Sequence, residues 1–426
     1  MGSINPRGLG LFTSLFYAVI TALLILSILL IKSFRTSGVL FIYFYSIFVT
    51  TFMLSRIIGS LFYKSPSKKI EPGKEPTVTF VIPCKNEEKA IYETIKNCAT
   101  ADYPKEKIEI IAINDGSTDN TIKEMQRAKN EFADVNITII HWAKNRGKRE
   151  GMNFGFRKAM GEIIIQLDSD SYPAPNALKY LVTPFENPDI AIVSAHSEPA
   201  NKDQNMLTKM QAAYYFMSFR ALKATESIFN IVFCCPGCCS AYRKKYIIPA
   251  LKEFNEETFL GRKYSFGDDR SLTNHMIKRG YKTIYVEDAL AFTIVPDNIK
   301  QLLKQQIRWK KSWFINTLMA SKFILQRDTF VALTYFFPLL LFTILTPIVA
   351  FKAMIINPII YGISPMVYIF GILIVSLLSY IHNKIYDGKK YGKYIFLWSI
   401  LNMTILCYLI VYALVFDLKN VSWGTR

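Results

Sequence analysis

Apolar residues are unevenly spread along the chain. Residues 9–31 carry no charge over 23 consecutive positions, and about 20 apolar residues suffice for one helix to cross a bilayer. Residues 38–62 form a second run, broken only by Arg56, whose long side chain can snorkel to the interface from near a helix end. Further apolar stretches occupy 329–351, 364–381 and 394–416. The first run is too long for the core of a signal peptide, and no small-residue cleavage site follows it, so 1–63 reads as an uncleaved pair of membrane helices.

Between 64 and 328 the pattern changes. Short apolar runs at 77–83, 108–113, 136–142 and 162–167 alternate with helical spacing at 87–99, 121–132 and 149–159. That alternation predicts an α/β domain on a parallel sheet with right-handed crossovers. Two stretches in the block, near 210–229 and 299–318, are amphipathic and predict helices lying against the bilayer; for the first a plain core helix fits equally well. Residues 329–426 then form a second membrane region.

Charge orients this arrangement. The chain has 51 Lys+Arg against 33 Asp+Glu, a net charge of +18. Lys64, Lys68, Lys69 and Lys74 follow the second apolar run, and Lys310, Lys311, Lys322 and Arg327 precede the third. The positive-inside bias puts the central block in the cytoplasm, with the plasma membrane the expected location. The basic excess is therefore membrane-side lysine, and nucleic acid is not the expected partner. Seven cysteines in 426 residues are too few for a disulfide scaffold and read as reduced thiols. Cys234, Cys235, Cys238 and Cys239 crowd four thiols into six positions, too cramped to wrap one tetrahedral zinc.

Acidic motifs lie where strands end. They are Asp115 in Asn-Asp-Gly-Ser, Asp168-Ser169-Asp170 directly after an apolar strand, and Gly267-Asp268-Asp269-Arg270. In open α/β sheets ligands bind beyond the carboxyl ends of the strands. Two carboxylates one residue apart at such an end can address one hard cation, Mg²⁺ or Mn²⁺, which leaves positions open for phosphate oxygens. On its own, Asp-Ser-Asp reads first as a polar turn; its position after a buried strand and the presence of the other motifs favour the site reading.

Taken in order, Asp-Gly-Ser, Asp168-Ser169-Asp170, Gly267-Asp268-Asp269-Arg270 and Gln305-Gln306-Ile307-Arg308-Trp309 resemble the motifs of processive, inverting, membrane-integrated family 2 glycosyltransferases, the group of cellulose, chitin and hyaluronan synthases. Asn145-Arg146-Gly147-Lys148-Arg149, Val295-Pro296-Asp297 and the terminal Trp423-Gly424-Thr425-Arg426 are most similar to hyaluronan synthases. Two features depart from that pattern. Asn114-Asp115 stands where the family often has two acids. The cysteine-rich stretch 234–239 looks more like chito-oligosaccharide synthases.

The resemblance implies a GT-A domain inserted between α-helical transmembrane segments, UDP-sugar donors (UDP-GlcNAc and UDP-GlcA), a divalent cation and a growing polysaccharide chain. Asp269 is then the general base, although the start of a helix is a place where Asp also serves as an N-cap. Asp170 holds the metal. Asp115, Lys148, Arg149, Asp168, Gln305, Arg308 and Trp309 bind substrate, with Trp423 and Arg426 closing over UDP. Arg308 offers a planar guanidinium to a diphosphate and Trp309 a face to a sugar ring; both also suit an interfacial helix. A C-terminus on the catalytic side demands that one apolar stretch not cross. The last one, interrupted at Asn402, is expected to form a hairpin. Alternatives are a chitin-like product from UDP-GlcNAc alone, a single-sugar lipid-linked transferase, and a transporter with a degenerate nucleotide domain.

Overall fold

The computed structural model describes residues 37–417 other than 67, 260, 265 and 387–389; the apolar run 9–31 and the tail bearing Trp423 and Arg426 lie outside the described residues. An eight-stranded sheet organises the central block. Its strands are β1 (Val78–Cys84), β2 (Ile108–Asp115), β3 (Asn136–Trp142), β4 (Ile163–Gln166), β5 (Ser171–Pro173), β6 (Ile190–Pro199), β7 (Ser240–Arg243) and β10 (Lys282–Thr293), while β8 (Thr258–Phe259) and β9 (Arg262–Lys263) form a separate two-stranded ribbon. The spatial order is β3-β2-β1-β4-β7-β6-β10-β5.

Strands buried on both faces read as continuous apolar runs, with alternate residues going to opposite layers. Phe80 and Ile82 of β1, Ile110 of β2 and Ile165 of β4 face one layer, packed under the Ile91–Ala99 and Thr121–Glu131 helices. Val81, Ile111 and Ile164 face the other, under Met152 and Phe156 of the Lys148–Lys158 helix.

The expected parallel pairing holds for β3-β2-β1-β4 and again for β6-β10. Beyond β4 the sheet is mixed. β7 runs antiparallel to both β4 and β6, and β5 antiparallel to β10. The cause is β7, four residues inserted between two parallel blocks directly after the cysteine loop, too short to show a periodicity.

Among the described residues, three helices are long and apolar enough to cross a membrane: Leu40–Leu61, Thr329–Tyr361 and Met366–Tyr386. These mark the chain as a membrane protein. They interlock through aromatic contacts such as Phe52 on Phe342, with ring centroids 4.9 Å apart. Arg56 does not snorkel outward. It is buried, with Nη2 donating to the Thr334 carbonyl at 3.3 Å and its guanidinium carbon about 5 Å from the Phe52 and Tyr335 rings. Carbonyl and π faces replace the water that an interfacial position would supply.

The last apolar stretch is also different from expectation. Its break falls at Ile405 rather than Asn402, and its halves, Gly392–Thr404 and Leu406–Phe416, bend by 43° without the full reversal of a hairpin. Both of its ends meet the central block. Tyr391 OH donates to Asp203 Oδ2 at 2.8 Å, and Lys311 Nζ pairs with Asp417 Oδ2 at 2.5 Å.

The two amphipathic stretches are helices. The first is continuous from Met206 to Ile228, opened by a reciprocal Asn205/Thr208 cap and wound as a π-turn over Ser218–Lys223. The second is Ile299–Ser321, capped by Asn298, whose side chain accepts from Gln301 N.

Candidate functional site

The start of the Lys148–Lys158 helix ties two acidic motifs together. Lys148 Nζ pairs with Asp168 Oδ1. One residue on, Arg149 Nε donates to Asp268 Oδ1 at 2.9 Å, and its Nη1 reaches the Phe254 carbonyl at 2.9 Å and Glu257 Oε2 at 3.1 Å. The guanidinium also lies 4.3 Å from the Phe254 ring centroid. Burial works to lower the Lys148 pKa, but the carboxylates of Asp168, Asp268 and Asp269 outweigh it and raise it. Lys148 is therefore a fixed cation.

Asp115 closes β2 and is 1% exposed. Its two oxygens accept from the backbone N–H of Arg146 (2.6 Å) and Gly147 (2.9 Å). Asp115, expected at the substrate, thus shapes the loop that presents Lys148. Arg149, also expected at the substrate, spends Nε and Nη1 on Asp268, Glu257 and the Phe254 carbonyl, while its buried Nη2 has no hydrogen-bond partner among the described residues. Neither residue lines the two cavities described below.

Asp168 sits two residues beyond β4, against the cysteine loop. Its N–H donates to the Gly237 carbonyl at 2.8 Å. Glycine is required at 237, since a Cβ there would stand 2.7 Å from Asp168 Oδ1. Asp170 is held from the other side, where Ser171 Oγ donates to Asp170 Oδ1 at 3.2 Å and Ile294 N–H to the Asp170 carbonyl at 3.3 Å.

Gly267 adopts φ +72° before the Asp268–Lys278 helix, and a Cβ there would meet Ser312 Oγ at 2.0 Å. This close approach sets Asp268 and Asp269 against the Ile299–Ser321 helix. The two acids then diverge. Asp268 is buried on Arg149, and burial raises its pKa despite the opposing pull of Arg149 and Lys148. Asp269 is half-buried, with Oδ2 3.6 Å from Cys234 Sγ.

Two cavities meet here. One, roughly 430 Å³, is lined by Asp269, Arg270, Lys223, Cys234 and Trp313, and extends to Leu339 and Thr343 of the Thr329–Tyr361 helix. The other, roughly 440 Å³, is lined by Lys148, Asp170, Gln305, Arg308, Lys311 and Asp417. Asp168, Tyr215, Cys238 and Trp309 line both. Seven of the residues expected at the site thus converge on one paired space: Lys148, Asp168, Asp170, Asp269, Gln305, Arg308 and Trp309. Asp417, the last described residue, lines the second cavity directly before the tail.

Asp168 and Asp170 both line the second cavity and are the carboxylates there that could hold a divalent cation, although one Asp168 oxygen is also paired with Lys148. Among the described residues no cluster of three His, Cys, Asp or Glu side chains with metal-binding geometry exists. The remaining positions around such an ion would fall to phosphate oxygens and water, as magnesium favours. The cysteines remain thiols. Burial, and then Asp269, push Cys234 up to about 11; burial, and then Asp168, push Cys238 up to about 12.

Sequence reasoning passed over Tyr215, Lys223, Arg270 and Trp313. Arg270 stands within a quoted motif and Trp313 four residues beyond another, so both could have been noticed. Lys223 could not, because only the π-turn brings it to the cavity.

Comparison with known proteins places this geometry. The family model Glycosyl transferase family 2 matches residues 79–249. Hyaluronan synthase of Streptococcus pyogenes is 30% identical over 414 residues, 96% of each chain. An N-acetylglucosaminyltransferase of Neorhizobium galegae is 31% identical over 270 residues, 63% of this chain and 61% of that one. Among solved structures, mannosyltransferase PcManGT from Pyrobaculum calidifontis, in complex with GDP-Man and Mn²⁺, shares the fold. The TM-score is 0.54 at 18% identity, covering 96% of this chain and 100% of that one.

Proposed function

The chain belongs to glycosyltransferase family 2, and on that premise we propose that it is a processive, inverting synthase that builds and exports a β-linked polysaccharide from UDP-sugars, namely hyaluronan from UDP-GlcNAc and UDP-GlcA. The observation that carries this reading is the paired cavity. One compartment gathers the diphosphate-type groups Arg308, Lys148 and Asp170, and the other holds Asp269 and runs on to a membrane-crossing helix.

The donor occupies the second cavity. Arg308 clamps the diphosphate, Gln305 lies beside it on the same helix, and Trp309, at the boundary, offers its face to the sugar being transferred. A divalent cation held by Asp170 and Asp168, Mg²⁺ or Mn²⁺, would neutralise charge on the departing UDP. Asp269, on the acceptor side, accepts the proton of the attacking hydroxyl as the bond to anomeric carbon forms and the bond to UDP breaks. Asp268 is excluded from that role by its burial against Arg149. The lysines after Leu61 and before Thr329 support a cytoplasmic catalytic domain at the plasma membrane.

A chitin-like product is the second reading. The cysteine-rich loop and the similarity to a rhizobial N-acetylglucosaminyltransferase favour it. Incubating the purified protein with labelled UDP-GlcNAc and UDP-GlcA, singly and paired, separates the two. Hyaluronan synthesis requires both donors; polymer from UDP-GlcNAc alone removes the hyaluronan reading.

A further inference from the structure

The cavity beside Asp269 contains two cations, Lys223 and Arg270, that form no ion pair among the described residues. Its charged lining consists of Asp168, Glu226 and Asp269 against Lys223, Arg270 and Lys310. Two of the carboxylates are already engaged. Asp168 is paired with Lys148. Glu226 accepts from Tyr335 OH and, at 3.0 Å, from the Phe233 N–H. Among the described residues, no Asp or Glu oxygen lies within ion-pair distance of Lys223 or Arg270. Lys223 Nζ donates only to the Cys234 carbonyl, which leaves its other N–H groups open. Arg270, whose backbone N–H donates to Asp269 Oδ1 at 2.8 Å, lines the cavity beside it.

The placement of both residues is structurally specific. Lys223 is the last residue of the π-turn Ser218–Lys223. A π-turn is rare and often falls at a functional position, and here it brings Ser218, Leu222 and Lys223 to the lining together with Tyr214. Arg270 follows the proposed base directly and is drawn in by the Gly267 contact with Ser312. Around these cations the lining is aromatic: Tyr214, Tyr215, Trp309 and Trp313. Flat apolar faces suit sugar rings. Two half-buried cations without counter-ions among those faces suit a sugar that carries a negative charge.

We infer that Lys223 and Arg270 form a carboxylate-binding subsite that selects a uronic acid unit in the acceptor chain next to Asp269. The inference rests on reading this cavity as the acceptor site, and it deepens that reading by assigning the residues that discriminate a uronate-containing chain from a neutral one. A bound carboxylate gains charge-assisted hydrogen bonds from both side chains. A neutral chain would leave the two cations desolvated and unpaired, which disfavours it further.

The test uses the full-length protein in lipid nanodiscs and two probes, a hyaluronan tetrasaccharide and the same oligosaccharide with its carboxylates reduced to alcohols. Binding of each is measured directly, and UDP release from UDP-GlcNAc is followed in the same preparation. The carboxylated probe should bind at least roughly tenfold tighter than the reduced one, about the contribution of one hydrogen bond to a charged group. The ratio should shrink as salt rises. It should fall to within about threefold in the Lys223→Gln/Arg270→Gln double variant and survive in Lys223→Arg. A double variant that has lost its fold binds neither probe, whereas the inference requires it to bind both with similar affinity.

Equal affinity of the wild type for both probes overturns the inference. So does a preference that persists in the double variant, or failure of the wild type to bind either probe. Protein that releases UDP without discriminating sinks the subsite alone. Protein that discriminates but transfers no sugar sinks the synthase reading and keeps the subsite.

Discussion

Replacing Arg149 with Met separates a structural role from a substrate-binding one. Met keeps an unbranched apolar stem against Phe254, but it strips Asp268 and Glu257 of their shared counter-charge. Arg149, Asp268 and Glu257 are all nearly inaccessible, with side-chain exposures of 5–8%. Removing one partner of a buried ion pair typically costs about 3–5 kcal/mol, because the remaining charge stays desolvated. For a domain of this size, 1 kcal/mol moves the unfolding midpoint by roughly 2–4 °C, so a fall of about 6–20 °C is expected. Arg149→Lys, which keeps the charge but not the fork to both acids, should fall between. The assay is the thermal unfolding midpoint of detergent-solubilised protein, paired with UDP affinity per folded molecule. A large drop in midpoint with UDP affinity held within about twofold matches the geometry. An unchanged midpoint with lost UDP affinity would refute it and restore Arg149 as a nucleotide contact.

Other consequences follow from the same contacts. Gly237→Ala should impair turnover at least tenfold while leaving most of the fold intact, since the new methyl would press on the Asp168 carboxylate at 2.7 Å; steady-state UDP release measures it. Lys311→Met should loosen Asp417 from the donor cavity and raise the protease sensitivity of the C-terminal tail, read by limited proteolysis and mass spectrometry. Glu198, hydrogen-bonded by His196 and then Lys202, is held down at about 2. Its folded pKa lies below the ordinary carboxylate value, so its stabilisation is present above about pH 4.5 and is lost as the pH falls towards 2. Glu198→Gln should therefore flatten the acid limb of a stability–pH curve and leave the neutral limb parallel to wild type.

The parts of the fold that follow a local period were readable from sequence. The run 136–142 is β3 residue for residue, and the alternation from β1 to β4 defined the parallel half of the sheet. β7 escaped because four residues carry no period and its neighbours are set by tertiary pairing. The same distinction applies at the site. Asp168, Asp170, Asp269, Arg308 and Trp309 stand in short motifs whose spacing survives translation into space. The partners of Asp115 and Arg149 were not legible because they are remote: Arg149 lies 119 residues from Asp268, and one-dimensional spacing cannot show which groups a cation meets. Arg56 erred for a related reason, since hydropathy marks a charge inside an apolar run but not the carbonyl and rings that receive it.

The most direct test of the central claim, that Asp269 works as base beside a donor held in the adjoining cavity, is UDP release by Asp269→Asn measured alongside UDP affinity. Loss of a general base costs about 10²–10⁴-fold in rate, and Asn preserves the shape of the side chain. The account predicts a fall in that range with UDP affinity changed less than about threefold. Release within tenfold of wild type would contradict it.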